Sequence, residues 1–273
     1  MVRRTSWLLV PGLVFLVIAF ALPAVLMLVA PPDATVVDIW GRLVMTFTEP
    51  YDLRIVARTV VFALVVTAAC LLFGFPIAYL LVRSTSRFAG LWLALAIFPL
   101  LLSTVVRTFG WLVILGSNGA IGRLIVALGL ADRGPQLLYT PLAVILGLVQ
   151  LFTPLAVITL YSTIAQIDRS LEDAARGLGA SPARSLWSVT IPLTMPGLVV
   201  AATLVFAGSV TAYTTPYLLG GANQRMLATQ LFTYANVTVN WAAASATAIV
   251  MTIIVLLVSG ISNAYSARKA RLA

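Results

Sequence analysis

Residues able to do chemistry are scarce in this chain, and they gather in two places. The first is residues 166–192, QIDRSLEDAARGLGASPARSLWSVTIP, where Glu172 and Asp173 stand among arginines between two almost wholly apolar blocks. The second is a looser set beside or within apolar stretches: Arg107 and Trp111, then Tyr213, Thr214, Thr215 and Tyr217. Neither set supports bond-making chemistry. The chain has no histidine, one cysteine at Cys70 and one lysine at Lys269. Without histidine or buried carboxylates no nucleophile–base pair can be assembled, so an enzyme is disfavoured. A phosphate-cradling loop needs a lysine after its glycines, and Lys269 lies far from any such loop. The apolar stretches carry no Asp, Glu or His for a proton relay, which disfavours a self-sufficient proton-coupled transporter. Cys70, inside an apolar run, is expected to be a small core residue. What remains is docking a partner or lining a path.

The elements that must position these residues are membrane spans. Hydrophobic residues make up 61% of the 273 and charged residues only 9%, with mean hydropathy +1.06. Soluble domains carry about 25% charged residues, so this is an integral membrane protein. Spans of about 20 apolar residues are expected at six places, near 7–30, 58–82, 89–115, 140–164, 195–217 and 242–264. Arg3-Arg4 and Ala19-Phe20-Ala21 imitate a signal peptide, but the apolar run continues to Ala30, which favours an uncleaved span. The net charge of +9 comes from scattered basic residues, which reads as topology rather than nucleic-acid binding. With the N-terminus inside, ten Lys and Arg fall on cytoplasmic pieces and six on outer ones, the direction of the positive-inside rule. Residues 166–192 and both chain ends then face the cytoplasm. Outer loops are expected at 31–57, at the glycine-rich 116–139, which re-enters as short helices, and at 214–241, broken by Pro216, Gly220 and Gly221.

Within 166–192, Ser170 and Asp173 have the spacing of a capping box. Leu171, Ala174, Ala175 and Leu178 recur at helical spacing, and Gly179 suits a left-handed stop. Ser181-Pro182 restarts a short helix whose apolar side is Leu186, Trp187 and Val189, with Pro192 ending it. On periodicity alone, an amphipathic connector lying in the interface explains these residues equally well. Arg107 falls inside a span, where an arginine costs about 2.5–3.5 kcal/mol, so it must face protein or water. It either snorkels to the outer interface beside Trp111 or lines a pathway. Tyr213, Thr214, Thr215 and Tyr217 form an aromatic belt or the wall of a cavity.

The spacing Asp173-Ala174-Ala175, three residues, Gly179, nine residues, Val189-x-Ile191-Pro192 resembles the EAA loop of ABC-importer permeases, E-A-A-x3-G-x9-I-x-L-P. Asp173 replaces the glutamate, which leaves Glu172 as a substitute for the acidic position. Phe75-Pro76-x-Ala78-Tyr79, Arg107-Thr108-x-Gly110-Trp111, Thr215-Pro216-Tyr217-Leu218-Leu219-Gly220-Gly221 and Asn240-Trp241 are similar to the spermidine/putrescine-type permeases, over about Arg58 to Tyr265. The resemblance implies an all-α polytopic membrane protein with six transmembrane helices, the type I ABC importer permease fold. It divides the chain into an N-terminal helix and first outer loop, 1–57, a transmembrane domain, 58–265, and a cytoplasmic tail, 266–273.

It also implies partners: a second, related permease, two ATPase subunits that hold ATP and Mg, and an external substrate-binding protein. The chain itself would bind no cofactor and no metal, and would sit in the bacterial cytoplasmic membrane. Glu172, Asp173, Ala174, Ala175, Gly179 and Pro192 are then the expected ATPase-coupling residues. Arg107, Trp111, Tyr213, Thr215 and Tyr217 are the expected substrate-path residues. A polyamine is the implied solute. Related permeases carry aminophosphonates, iron and opines, so an anionic or zwitterionic solute stays open, as does a scaffold that transports nothing. Spans without carboxylates leave cation selectivity to aromatic faces, the partner permease and the external receptor.

Overall fold

The computed structural model describes residues 10–22, 25 and 35–270, and no strand occurs among them. Two compact units divide the chain. One takes the described residues up to Ile55 together with Gln230–Ile253; the other takes Val56–Thr229 and the described residues from Ile254 onward.

In the first unit, α1 (Val10–Leu16) runs into a π-helical turn at Val17–Ala21. The span expected at 7–30 otherwise lies largely outside the described residues. The loop expected at 31–57 is mostly helix. Thr35 and Asp38 form a reciprocal capping box that starts α2 (Val36–Thr48), with Thr35 N–H to Asp38 Oδ2 at 2.8 Å. The chain turns extended at Glu49, and α3 (Pro50–Arg83) starts at once, because proline fits the first turn of a helix. This early start puts Arg54, Arg58 and a buried Asp52 inside the helix, so the expectation of carboxylate-free spans is corrected there. Arg42 of α2 lies over the Tyr234 ring at 5.7 Å from its centroid.

In the second unit the span expected over 89–115 is broken. Helix α4 (Ala89–Ile97) tightens into a 3-10 turn at Phe98–Leu101, extended backbone follows at Leu102 and Ser103, and α5 (Thr104–Leu115) restarts. Pro99 is the cause, since it has no amide to continue the ladder. The glycine-rich stretch that follows holds α6 (Ala120–Ala127). Then come α7 (Pro141–Ala165), α8 (Arg169–Gly177), α9 (Pro182–Ser185), α10 (Ile191–Thr211), α11 (Thr214–Gly220) and α12 (Leu227–Phe232). Helix α13 (Trp241–Ala270) begins in the first unit and ends in the second. Among the described residues, five helical segments are long and apolar enough to cross a membrane: 50–83, 104–127, 141–165, 182–211 and 241–262, with Ala89–Leu101 a shorter apolar one.

Helix α7 is the centre of the second unit, burying residues along its whole length from Ala143 to Ile164. Lipid offers no hydrophobic drive between helices, so close approach through small residues must hold them. A Cβ built at Gly74 on α3 would meet the Ala156 Cβ at 3.2 Å, and one at Gly147 on α7 would meet Thr215 Cγ2 of α11 at 2.6 Å. Gly197 on α10 sits against Thr163 of α7, whose Cβ would be 2.6 Å away. Cys70 lies fully buried in the core with Phe62, Val66, Leu115 and Leu148, as expected of it. Replacing Gly197 by leucine should therefore overpack the α7–α10 contact and cost about 1–3 kcal/mol. Thermal unfolding in detergent should show a lower midpoint, whereas Gly12→Leu, with nothing within 4 Å of a built Cβ, should show none.

Candidate coupling site

The stretch 166–192 folds as a helical hairpin, but with different caps from those expected. Asp168, not Ser170, caps α8: its carboxylate accepts the Ser170 N–H at 2.9 Å. That backbone hydrogen bond holds the Asp168 carboxyl below its ordinary value. At the other end Gly179 has φ +91°, the Gly179 N–H reaches the Arg176 carbonyl at 2.9 Å, and the Ala180 N–H reaches the Ala175 carbonyl at 3.1 Å. This pair of bonds is the Schellman stop that only glycine makes cheaply. Ser181 caps the next turn by accepting the Arg184 N–H at 3.3 Å, with Pro182 at the first helical position.

Pro192 does not end that second helix. The chain widens into a π-helical turn at Leu186–Thr190 and passes directly into α10, with Pro192 in its first turn. A widened turn absorbs the missing amide without breaking the rod. The hairpin's second arm is thus continuous with a membrane span.

The inward face of α8 is polar. Glu172 is 2% exposed. Its Oε1 accepts from Arg83 Nη2 at 2.7 Å, Arg83 Nε at 3.0 Å and the Thr190 hydroxyl at 3.0 Å, and its Oε2 accepts from the Tyr79 hydroxyl at 3.2 Å. The Ser185 hydroxyl donates to the Glu172 backbone carbonyl at 3.4 Å. Arg83 also reaches the Ile167 carbonyl through Nη1 and Nη2, each at 3.4 Å. Burial alone would raise the Glu172 carboxyl, but the Arg83 and Thr190 hydrogen bonds, the Arg83 charge and the Tyr79 hydroxyl together hold it below the ordinary glutamate value.

The apolar residues face the other way. Leu171, Leu178 and Trp187 are 47%, 91% and 71% exposed, while Leu186 and Val189 are half-buried. Asp173 and Ala174 are exposed as well, and Ala175 is half-buried. Asp173 meets Arg176 only at 3.9 Å. The acidic residue aligned with the EAA pattern therefore points outward, while its neighbour Glu172 is the one anchored. Spacing within 166–192 does not distinguish the two carboxylates, because Tyr79 and Arg83 sit about 90 residues upstream, at the end of α3.

The other candidates lie at the far end of α7 and α10 from this hairpin. Arg107, just past the break before α5, donates from Nη2 to the Thr104 hydroxyl at 3.4 Å, while its Nε and Nη1 are buried with no hydrogen-bond partner among the described residues. Trp111, one turn on, packs half-buried against the core. Helix α10 stops at Thr211, and α11 carries the buried Thr215, whose hydroxyl pairs with that of Thr108 on α5 at 3.3 Å. The Tyr213 and Tyr217 rings stack, with centroids 5.1 Å apart and planes at 30°. The Thr108–Thr215 pair thus joins α5, which carries Arg107 and Trp111, to α11, which carries Tyr217.

Residues 3–272 match the family described as binding-protein-dependent transport system inner membrane component. The chain belongs to this family. It is 32% identical over 218 residues to the spermidine/putrescine transport system permease protein PotB of Salmonella typhimurium SL1344, covering 80% of this chain and 74% of that protein. It is 32% identical over 207 residues to PotB of Escherichia coli K12, covering 76% and 75%. The molybdenum transport system permease protein ModB of Mycobacterium tuberculosis H37Rv is 31% identical over 185 residues, 68% of each chain. Its fold is also that of a bacterial alginate ABC transporter solved with an alginate-bound periplasmic protein, with TM-score 0.77 at 17% identity over 98% of this chain and 96% of that one. The protein is accordingly a multi-pass inner-membrane permease of an ABC importer.

For such a permease subunit the Glu172 cluster sets two expectations. Glu172→Ala leaves the Arg83 guanidinium buried without its carboxylate, and removing one member of a buried pair costs about 3–5 kcal/mol. Thermal unfolding of the purified chain should show the loss, and Asp173→Ala, at an exposed carboxylate, should not. Because the folded-state carboxyl is lowered, its contribution is complete above the unfolded glutamate value of about 4.3 and is lost as pH falls through the folded value. The Glu172→Gln variant should therefore differ from wild type at pH 7 and converge with it in acid, as read by unfolding midpoints across pH.

Proposed function

We propose that this chain is one of two permease subunits that form the path of an ATP-driven importer, with a polyamine of the spermidine or putrescine class as solute. One observation carries the reading. The 166–192 hairpin is fixed from within by Glu172 and turns Leu171, Asp173, Leu178 and Trp187 outward, at the end of two membrane spans. Apolar residues held exposed on a rigid polar hairpin mark a docking face. Its occupant is an ATPase subunit on the cytoplasmic side, which places both chain ends inside. ATP and Mg reside on the two ATPase subunits, and ATP-driven closure moves the hairpin and rocks the spans, opening the cavity alternately to each side. An external binding protein delivers the solute. The PotB relatives support a polyamine, and the stacked Tyr213 and Tyr217 offer the aromatic faces that attract ammonium groups.

An anionic solute is the second reading, favoured by one observation. Arg107 holds two buried guanidinium nitrogens without an acceptor beside the Thr108–Thr215 contact. An oxyanion would supply the missing acceptors.

The two are separated with the complete complex in proteoliposomes. A spermidine-loaded external receptor should stimulate ATP hydrolysis and drive labelled spermidine inward. A complex that purifies without any ATPase, or that responds only to a receptor loaded with an oxyanion, would defeat the polyamine importer. Gly179→Val should keep membrane insertion but lose most uptake per ATP hydrolysed, since the +91° φ at this residue strains any β-branched side chain.

A further inference from the structure

Chain connectivity joins the coupling hairpin to α7 through Gln166–Asp168 and to α10 through the π-helical turn, so a push on α8 would enter those two helices. The side chains add a third. Arg83 is the last residue of α3, and Tyr79 stands one turn before it. Both aim at Glu172, and Arg83 also holds the Ile167 carbonyl at the hairpin's entry. Thr190, at the hairpin's exit, closes on the same Glu172 oxygen as Arg83. The end of α3, the entry of the hairpin, its first helix and its exit thus meet at one carboxylate. From this geometry, and resting on the reading of the hairpin as the ATPase contact, we infer that Glu172 and Arg83 are positioning residues that make α3 move with the coupling helix as one body.

Opening the cluster during a stroke would strand a carboxylate that is 2% exposed and a guanidinium that is 12% exposed, with the Tyr79 and Thr190 hydroxyls losing their acceptor as well. Buried charges parted from their partners are strongly disfavoured, whereas moving the whole cluster breaks nothing. Helix α3 is also seated on α7 where Gly74 meets Ala156, so the latch and the packing bind it to the same body. At 1.5 Å per residue its 34 residues span about 50 Å. The latch therefore delivers displacement of the hairpin to a third helix long and apolar enough to cross a membrane, besides α7 and α10, to which the hairpin is joined by chain.

Spin labels test this in the assembled complex. Ser84→Cys and Ser170→Cys, both exposed and outside the cluster, are introduced in a Cys70→Ala background. The distance between the labels should be the same in nucleotide-free and ATP-trapped complexes. A distance that changes between those states in the otherwise native latch overturns the inference, whatever any latch variant does. In Glu172→Gln, the ATPase subunits should still co-purify and hydrolyse ATP, while solute moved per ATP falls roughly 5- to 150-fold, the span of ordinary coupling free energies. Normal transport per ATP in that variant also overturns the inference, because a latch needed only for folding would not alter this ratio. Loss of ATPase co-purification from the native complex instead would defeat the reading of the hairpin as a docking site.

Discussion

A buried carboxylate is stable only if its oxygens are answered by hydrogen-bond donors, and Glu172 is answered from two separate segments of chain, the end of α3 and the exit of the hairpin. That requirement fixes the roll of α8 about its own axis. Once Glu172 must face Tyr79, Arg83 and Thr190, helical geometry sends Leu171, Asp173 and Leu178 outward. The exposed face is thus a consequence of the buried one. The same pairing sets where α3 ends, since Arg83 is its last residue. The Schellman stop at Gly179 and the cap at Ser181 then give the hairpin a fixed return into α10.

Away from the hairpin the constraint is different. Among helices of nearly uniform apolarity, shape decides contact. Gly74, Gly147 and Gly197 leave room for α3, α11 and α10 to pack against α7 where a Cβ would crowd its neighbours. Irregular backbone appears where side chains can serve it. The break before α5 stands beside Arg107 and Thr104, and the break between α10 and α11 stands beside Thr215 and the tyrosine pair. Non-helical backbone at membrane depth is tolerated where protein or water surrounds it. Both breaks lie next to the helices α5 and α11, which meet at the Thr108–Thr215 hydroxyl contact.

Much of this was legible from residue types, and the failures have physical causes. Long apolar runs announced the spans, and Gly179 and Ser181-Pro182 announced the hairpin's turns, because these signals are local. Pro192 reads as a terminator in the sequence, whereas a π-helical turn at Leu186–Thr190 carries the chain straight into α10 with Pro192 in its first turn. The break at Leu102–Ser103 was missed because Pro99 inside an apolar run looks like a kink rather than an end. Spacing does not tell which face of the hairpin is buried, since Glu172 is held by Tyr79 and Arg83 from α3 while Leu171, Leu178 and Trp187 stay exposed. Arg83 carried the only sequence signal for it, a lone charge at the end of a long apolar run, and nothing in spacing tied it to Glu172.

The most direct test places a photo-activated cross-linking residue at Leu178, the most exposed apolar side chain of the hairpin, in the complete transporter within its membrane. The expected result is a cross-link to the ATPase subunit whose yield changes between nucleotide-free and ATP-bound states. Cross-links to lipid alone, or a reagent added only from outside the cell reaching Leu178, would contradict the account.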